Sequence, residues 1–126
     1  MDLTYKKPIK SFTELEAWRE GHKFVLLVYK AVKNFPREER FGLANQIVRA
    51  SVSITGNIAE GFSRKGSKEK IQFYYTAMGS LTEVQNQLLI ARDIHYIDSQ
   101  MFRELAERSV VVSKLLRGLI KSAGKM

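Results

Sequence analysis

The chain has 126 residues, 44% of them hydrophobic and 27% charged, the size and balance of one globular domain. It has no cysteine and only two histidines, His22 and His95, which excludes a disulfide scaffold, a thiol nucleophile and a cysteine-ligated metal, and argues against a multi-histidine centre. The formal net charge of +8 and pI of about 9.8 point to a polyanionic partner, RNA or DNA before an anionic membrane.

Residues 1–12 read as a flexible N-terminal segment. They lack the apolar core of a signal peptide, and no later apolar run reaches bilayer length, so the expectation is a cytoplasmic protein with no membrane partner. The first helix is predicted over about 13–34. Thr13-Glu-Leu-Glu16 reads as a capping box. Leu15, Trp18, His22, Val25, Tyr29 and Val32 read as the core stripe, with Ala17, Gly21, Phe24, Val28 and Ala31 beside it. Pro36 ends the helix by removing an amide donor and restricting Phe35.

The second helix is predicted over about 39–62. Its segment between Arg49 and Glu60 carries no charge. Val48, Val52, Ile54, Ile58 and Phe62 recur at helical spacing among small residues such as Ala50, Ser53, Gly56 and Ala59. A helix with so little polar surface is covered on more than one side. Gly61 and Gly66 bracket a polar turn, and Ser67 reads as the cap of a third helix over about 67–93. Between Lys70 and Arg92 that helix has one charge, Glu83, and apolar residues around nearly its whole circumference. Asp98 reads as the cap of a fourth helix over about 98–121, followed by a flexible tail, 122–126.

No stretch alternates with the two-residue period of a strand. Short connections imply antiparallel neighbours, so the fold class is all-α: a single up-down-up-down antiparallel four-helix bundle over 13–121.

That topology brings the N-terminus, the second-to-third turn and the C-terminus to one end. Lys6, Lys7, Lys10, Arg64, Lys65, Lys68, Lys70, Lys114, Arg117, Lys121 and Lys125 gather there against five acids, a surplus of six; the opposite end and the middle each carry a surplus of one. Such a pole could bind backbone phosphates with little sequence readout, or simply be a solvated end. Aromatic residues for base stacking are sparse near it: Phe62 and Tyr5. The charge-poor second and third helices suggest that another subunit buries an outer face, since exposed apolar patches on soluble monomers are small; an exposed mixed surface of Gln72, Thr76, Ser80, Gln85 and Asn86 is the alternative.

Asn57 and Glu60 share a helix face, and Glu83 stands alone in the third helix. Each carboxylate could be taken for a general base. The structural alternative, a polar core of Arg49, Asn57, Glu60 and Glu83 that fixes helix register, is the preferred one. His22 reads as a half-buried imidazole and His95 as a surface residue. No nucleotide-binding glycine loop follows a strand. No catalytic residue, cofactor or metal site is expected.

Leu15-Glu-Ala-Trp18, Phe35-Pro-Arg-Glu-Glu39, Gln46-Ile-Val-Arg-Ala50, Ser53-Ile54, Asn57-Ile-Ala-Glu-Gly61 and Ala77-Met-Gly-Ser80 followed by Glu83 and Leu88 occur in this order. Together they resemble the four-helix-bundle proteins named after intervening sequences of bacterial 23S ribosomal RNA genes, over about Phe12 to Ile120. The Asn-Ile-Ala-Glu-Gly and Gly-Ser…Glu segments are the specific parts. The sequence departs from the common pattern at Thr55-Gly56. The resemblance implies an up-down bundle assembled as a homopentamer, a basic surface proposed to bind nucleic acid, and no established enzymatic activity. A related branch serves diversity-generating retroelements and binds a reverse transcriptase.

The expected function is therefore a non-enzymatic, oligomeric nucleic-acid-binding protein, with RNA favoured over DNA and Arg64, Lys65, Lys68, Lys70, Lys114, Arg117 and Lys121 as phosphate contacts. The alternative is a protein-interaction scaffold or accessory subunit docking an acidic partner such as a nucleic-acid enzyme. A small hydrolase using Glu60 or Glu83 is the remaining class.

Overall fold

A computed structural model describes residues 8–125; the N-terminal call on residues 1–7, including Lys6 and Lys7, and the end of the tail at Met126 lie outside the described residues. Four helices follow one another: α1, Glu16–Val32; α2, Leu43–Ser63; α3, Ser67–Asp93; α4, Ser99–Ala123. α2 and α3 form the most extensive pairing. α1 packs on α2 and α4, and α3 on α4, which closes the four-cornered bundle. The described residues contain no strand.

The helix ends differ from sequence expectation in instructive ways. The capping box lies two residues before the expected one: the Ser11 hydroxyl accepts from the Thr13 amide, and Glu14 closes the reciprocal contact with the Ser11 amide. This box starts a 3-10 turn, Phe12–Glu14, and α1 begins after it at Glu16. The chain from Arg37 to Glu39 is likewise a 3-10 turn, not the start of α2. Glu39 instead reaches forward, its Oε2 accepting from the Leu43 amide at 3.3 Å. Gly66, not Ser67, is the N-cap of α3, and no side chain caps that end. Asp98 does cap α4, its Oδ1 accepting from the Met101 amide at 2.7 Å. The α4 helix continues to Ala123, two residues into the expected tail.

α3 ends in a Schellman arrangement. The Tyr96 amide donates to Ala91 O at 2.8 Å and the His95 amide to Arg92 O at 3.1 Å. His95 takes the left-handed position with φ 65°, a region histidine enters more readily than most residues.

The core face of α1 takes in both stripes but centres on the second. Ala17, Gly21, Phe24, Val28 and Ala31 are all buried; of the expected core stripe Leu15 and Val25 are buried, Trp18 and Val32 pack against the core, and His22 and Tyr29 are exposed. At Gly21 α1 and α2 approach closely: a Cβ there would lie 3.1 Å from Thr55 Cγ2. His22 is not half-buried; it stacks on Trp18 at 4.7 Å on the bundle's outer side. The centre is filled by Phe24, Ile47, Ile54, Ile58, Tyr74, Leu81, Val84, Leu105, Val112 and Leu116, all essentially without solvent contact.

Candidate nucleic-acid interface

The α2–α3 connection is built by two competing demands. α2 ends with unsatisfied carbonyls that need donors. Lys70, one turn into α3, swings back and its Nζ donates to Phe62 O at 2.7 Å and Gly61 O at 3.4 Å. A cation there also suits the negative end of the helix dipole. Lys70 is thus a structural cap of α2, half-buried rather than open like its neighbours. Arg64 is partly engaged: its Nη2 pairs with Glu60 Oε2 at 3.2 Å, and its guanidinium lies 4.7 Å from the Phe73 ring.

The remaining candidates are open. Lys65, Lys68, Lys114, Arg117 and Lys121 are all exposed. Among the described residues none of the five forms an ion pair. Lys114, Arg117 and Lys121 recur at three- and four-residue steps, so they form one stripe about 10 Å long on α4. That stripe lies opposite the buried Leu105, Val112 and Leu116. The end of α4 meets the start of α3, where a Cβ at Gly124 would lie 3.8 Å from Ile71 Cδ1. The turn and the stripe therefore share one pole. Lys65 and Lys68 flank the first turn of α3, whose leading amides have no side-chain cap. Two aromatic rings sit at this pole: Phe73 under Arg64, and Phe62 beside Lys70 at 5.3 Å. Phe73 was missed from sequence because its contact depends on the angle at which α3 leaves the turn.

The expected polar core of Arg49, Asn57, Glu60 and Glu83 does not form in the chain. Arg49, Glu60 and Glu83 are exposed, and only Asn57 is half-buried. Their positions put them on the outer side of the α2–α3 pair, where a charged side chain keeps its hydration. Arg49 pairs with neither carboxylate; it and Glu83 line a shallow polar groove with Ser53 and Ser80. The link between helices is made by hydroxyls instead. Ser53 Oγ and Ser80 Oγ are 2.9 Å apart, and Asn57 Nδ2 donates to Ser53 O at 2.8 Å and Ser53 Oγ at 3.0 Å. Gln87 is buried, donates to Glu83 Oε1 at 3.4 Å and leaves its own Oε1 without a partner.

Among the described residues no cluster of three histidines and carboxylates could hold a metal ion, and no helix is long and apolar enough to cross a membrane.

The 23S rRNA-intervening sequence protein pattern matches residues 13–118. The chain belongs to this family. The match spans all four helices and ends inside the basic stripe of α4, three residues before Lys121. A solved member of the S23 ribosomal protein family from Bacteroides thetaiotaomicron, described as a protein with unknown function, shares the fold. Its TM-score is 0.75 at 23% identity, covering 83% of this chain and 98% of that one. No curated protein matches the chain. The 23S rRNA-intervening sequence proteins thus supply the fold and the family of this bundle, and its chemistry rests on its own residues.

Proposed function

We propose that the protein is a non-enzymatic nucleic-acid-binding protein that takes structured RNA at the pole formed by the Arg64–Lys70 turn and the α4 stripe. The observation that carries this reading is the set of five exposed cations, Lys65, Lys68, Lys114, Arg117 and Lys121, at one end of the bundle, without an ion-pair partner among the described residues. Phosphates would sit among these cations and at the uncapped start of α3, displacing counterions with little readout of base identity. The family's name, which refers to a ribosomal RNA insertion, favours RNA over DNA. Glu60 is exposed and paired with Arg64, and Glu83 lies in a shallow groove in which Ser53 and Ser80 bond to each other, an arrangement that favours a binding role over hydrolysis.

Self-association, as a homopentamer in keeping with the family resemblance, completes this reading. Support comes from two glycines. Gly56 and Gly79 are exposed in mid-helix, and a Cβ at either would meet nothing within 4 Å of its own chain. Each weakens its helix by about 1 kcal/mol relative to alanine; Gly118 on α4 is equally open, and it is their place on the charge-poor α2 and α3 that makes close approach by another copy's backbone the purpose of Gly56 and Gly79. A ring would repeat the basic pole and raise a weak per-subunit affinity through multivalency.

Labelled RNA titrated at rising salt tests the binding. Affinity that ignores salt, or is unchanged when Lys65, Lys68, Lys114, Arg117 and Lys121 are replaced by alanine, contradicts the placement. A scaffold reading has one observation in its favour: a small apolar groove between α3 and α4 lined by Leu88, Leu89, Phe102, Ala106 and Val110. Capture of a nucleic-acid enzyme from nuclease-treated lysate, lost on Leu89→Asp, would favour that reading.

A further inference from the structure

At the end of the bundle away from the basic pole, the chain leaves α1, crosses through the Arg37–Glu39 turn and enters α2. A cleft of about 360 Å³ opens there, within the size range of small-ligand sites. Tyr29, Val32, Phe35 and Val48 supply apolar walls, and Arg37, Arg40 and Asn45 supply the polar groups.

The local backbone separates the charges of this segment. Side chains three apart on a 3-10 turn eclipse one another, so Arg37 and Arg40 fall on one side of it, and both line the cleft. Of the two acids, Glu39 is turned to the start of α2, where it caps Leu43; among the described residues Glu38 is exposed and pairs with neither arginine. Phe35 anchors the turn by packing on Tyr96, ring centres 5.2 Å apart. Among the described residues neither Arg37 nor Arg40 has an ion-pair partner. Arg40 is merely stacked near Phe41, which is 85% exposed.

Two guanidinium forks over an aromatic and aliphatic wall match a phosphate attached to a flat ring. We propose that this cleft binds one nucleotide unit, its base against Tyr29, Val32, Phe35 and Val48 and its phosphate between Arg37 and Arg40. The unit could be a free mononucleotide or the 5′-phosphorylated end of an RNA strand. The cleft lies a full α2 length, roughly 30 Å, from the basic pole, and its occupancy does not depend on the reading of that pole.

Amide resonances of the full chain, followed by NMR, test this directly. Adenosine 5′-monophosphate, adenosine, inorganic phosphate, and a hexanucleotide with either a 5′-phosphate or a 5′-hydroxyl are the probes. The expected result is a saturable shift at Val32, Ala44 and Val48, with adenosine and phosphate each binding at least about tenfold more weakly than the combined unit. Arg37→Ala with Arg40→Ala weakens binding at least about tenfold. Arg37→Lys with Arg40→Lys, which keeps the charge and loses the forks, weakens it partway. Lys23→Ala, on the exposed side of α1 and in neither the cleft nor the pole, leaves it unchanged. Saturation by the mononucleotide supports a free ligand, and saturation only by the 5′-phosphorylated hexanucleotide supports an RNA end. The proposal is overturned if neither shifts the cleft resonances, if inorganic phosphate alone binds as well as the nucleotide, or if the alanine pair binds normally with an otherwise unchanged spectrum. Resonances of Lys65 to Lys70 report the basic pole in the same spectra, so failure at one end is distinguishable from failure at the other.

Discussion

The ring of Tyr74 lies against the backbone of Gly61, so that a Cβ at Gly61 would fall 2.6 Å from Tyr74 Cε1 and 3.0 Å from Phe73 Cβ. This contact fixes how closely α2 and α3 approach just before the basic turn, and it explains why the Asn57–Gly61 segment ends in glycine. Gly61→Ala forces a buried ring to move, at about 1–3 kcal/mol, against a helix-propensity gain of at most about 1 kcal/mol. Thermal unfolding is expected to show a net loss of several degrees in Tm; an unchanged or higher Tm would contradict the contact.

Tyr74 also makes stability depend on pH. Burial raises its phenol above the ordinary value of 10.0, so the folded state favours the protonated form. Stability from this group is complete below pH 10 and is lost as pH rises through the raised folded-state value. Chemical denaturation between pH 9 and pH 12 should show that decline reduced in Tyr74→Phe. A decline of equal size in the variant would place its origin in other groups.

Lys70 and its neighbours should separate stability from binding. Lys70→Ala removes two carbonyl contacts at the end of α2 and is expected to lower stability by about 1 kcal/mol or somewhat more. Lys65→Ala with Lys68→Ala, exposed and unpaired, should leave the melting curve in place and weaken RNA binding. The reverse pattern would mean that the cap has been misassigned.

The glycines of the outer α2–α3 face yield a third separation. Gly56→Ala and Gly79→Ala should each strengthen the isolated helix by up to about 1 kcal/mol while reducing the mass of the assembly in light scattering. Gly118→Ala on α4, also open to solvent with no neighbour, should strengthen its helix and leave the mass unchanged. Equal assembly mass in all three variants would remove the packing argument for Gly56 and Gly79.

The bundle was legible in the sequence because four apolar helical patterns are separated by connections too short for anything but antiparallel packing. What was not legible depended on relationships between helices. In α1, the large residues Trp18, His22 and Tyr29 suggested the core stripe, yet the core centres on the stripe of Ala17, Gly21, Phe24, Val28 and Ala31, which lets α2 come close at Gly21. The neutral stretch from Arg49 to Glu60 suggested that its flanking charges were drawn inward. The hydroxyls of Ser53 and Ser80 make the interhelical link instead, and Arg49, Glu60 and Glu83 stay on the outer surface of the subunit. The basic pole followed from topology and charge count. That Lys70 is spent on a helix end, and that Arg37 and Arg40 face one cleft, needed the backbone of the two connections.

Salt-dependent RNA binding at the basic pole is read from the slope of log affinity against log salt for the intact protein and for Lys65→Ala, Lys68→Ala and Lys114→Ala combined. A linear fall is expected for the intact protein, and in the variant a slope shallower by about 0.7–0.9 per phosphate contact removed. A flat salt response, or the same slope in both proteins, would contradict binding at that pole.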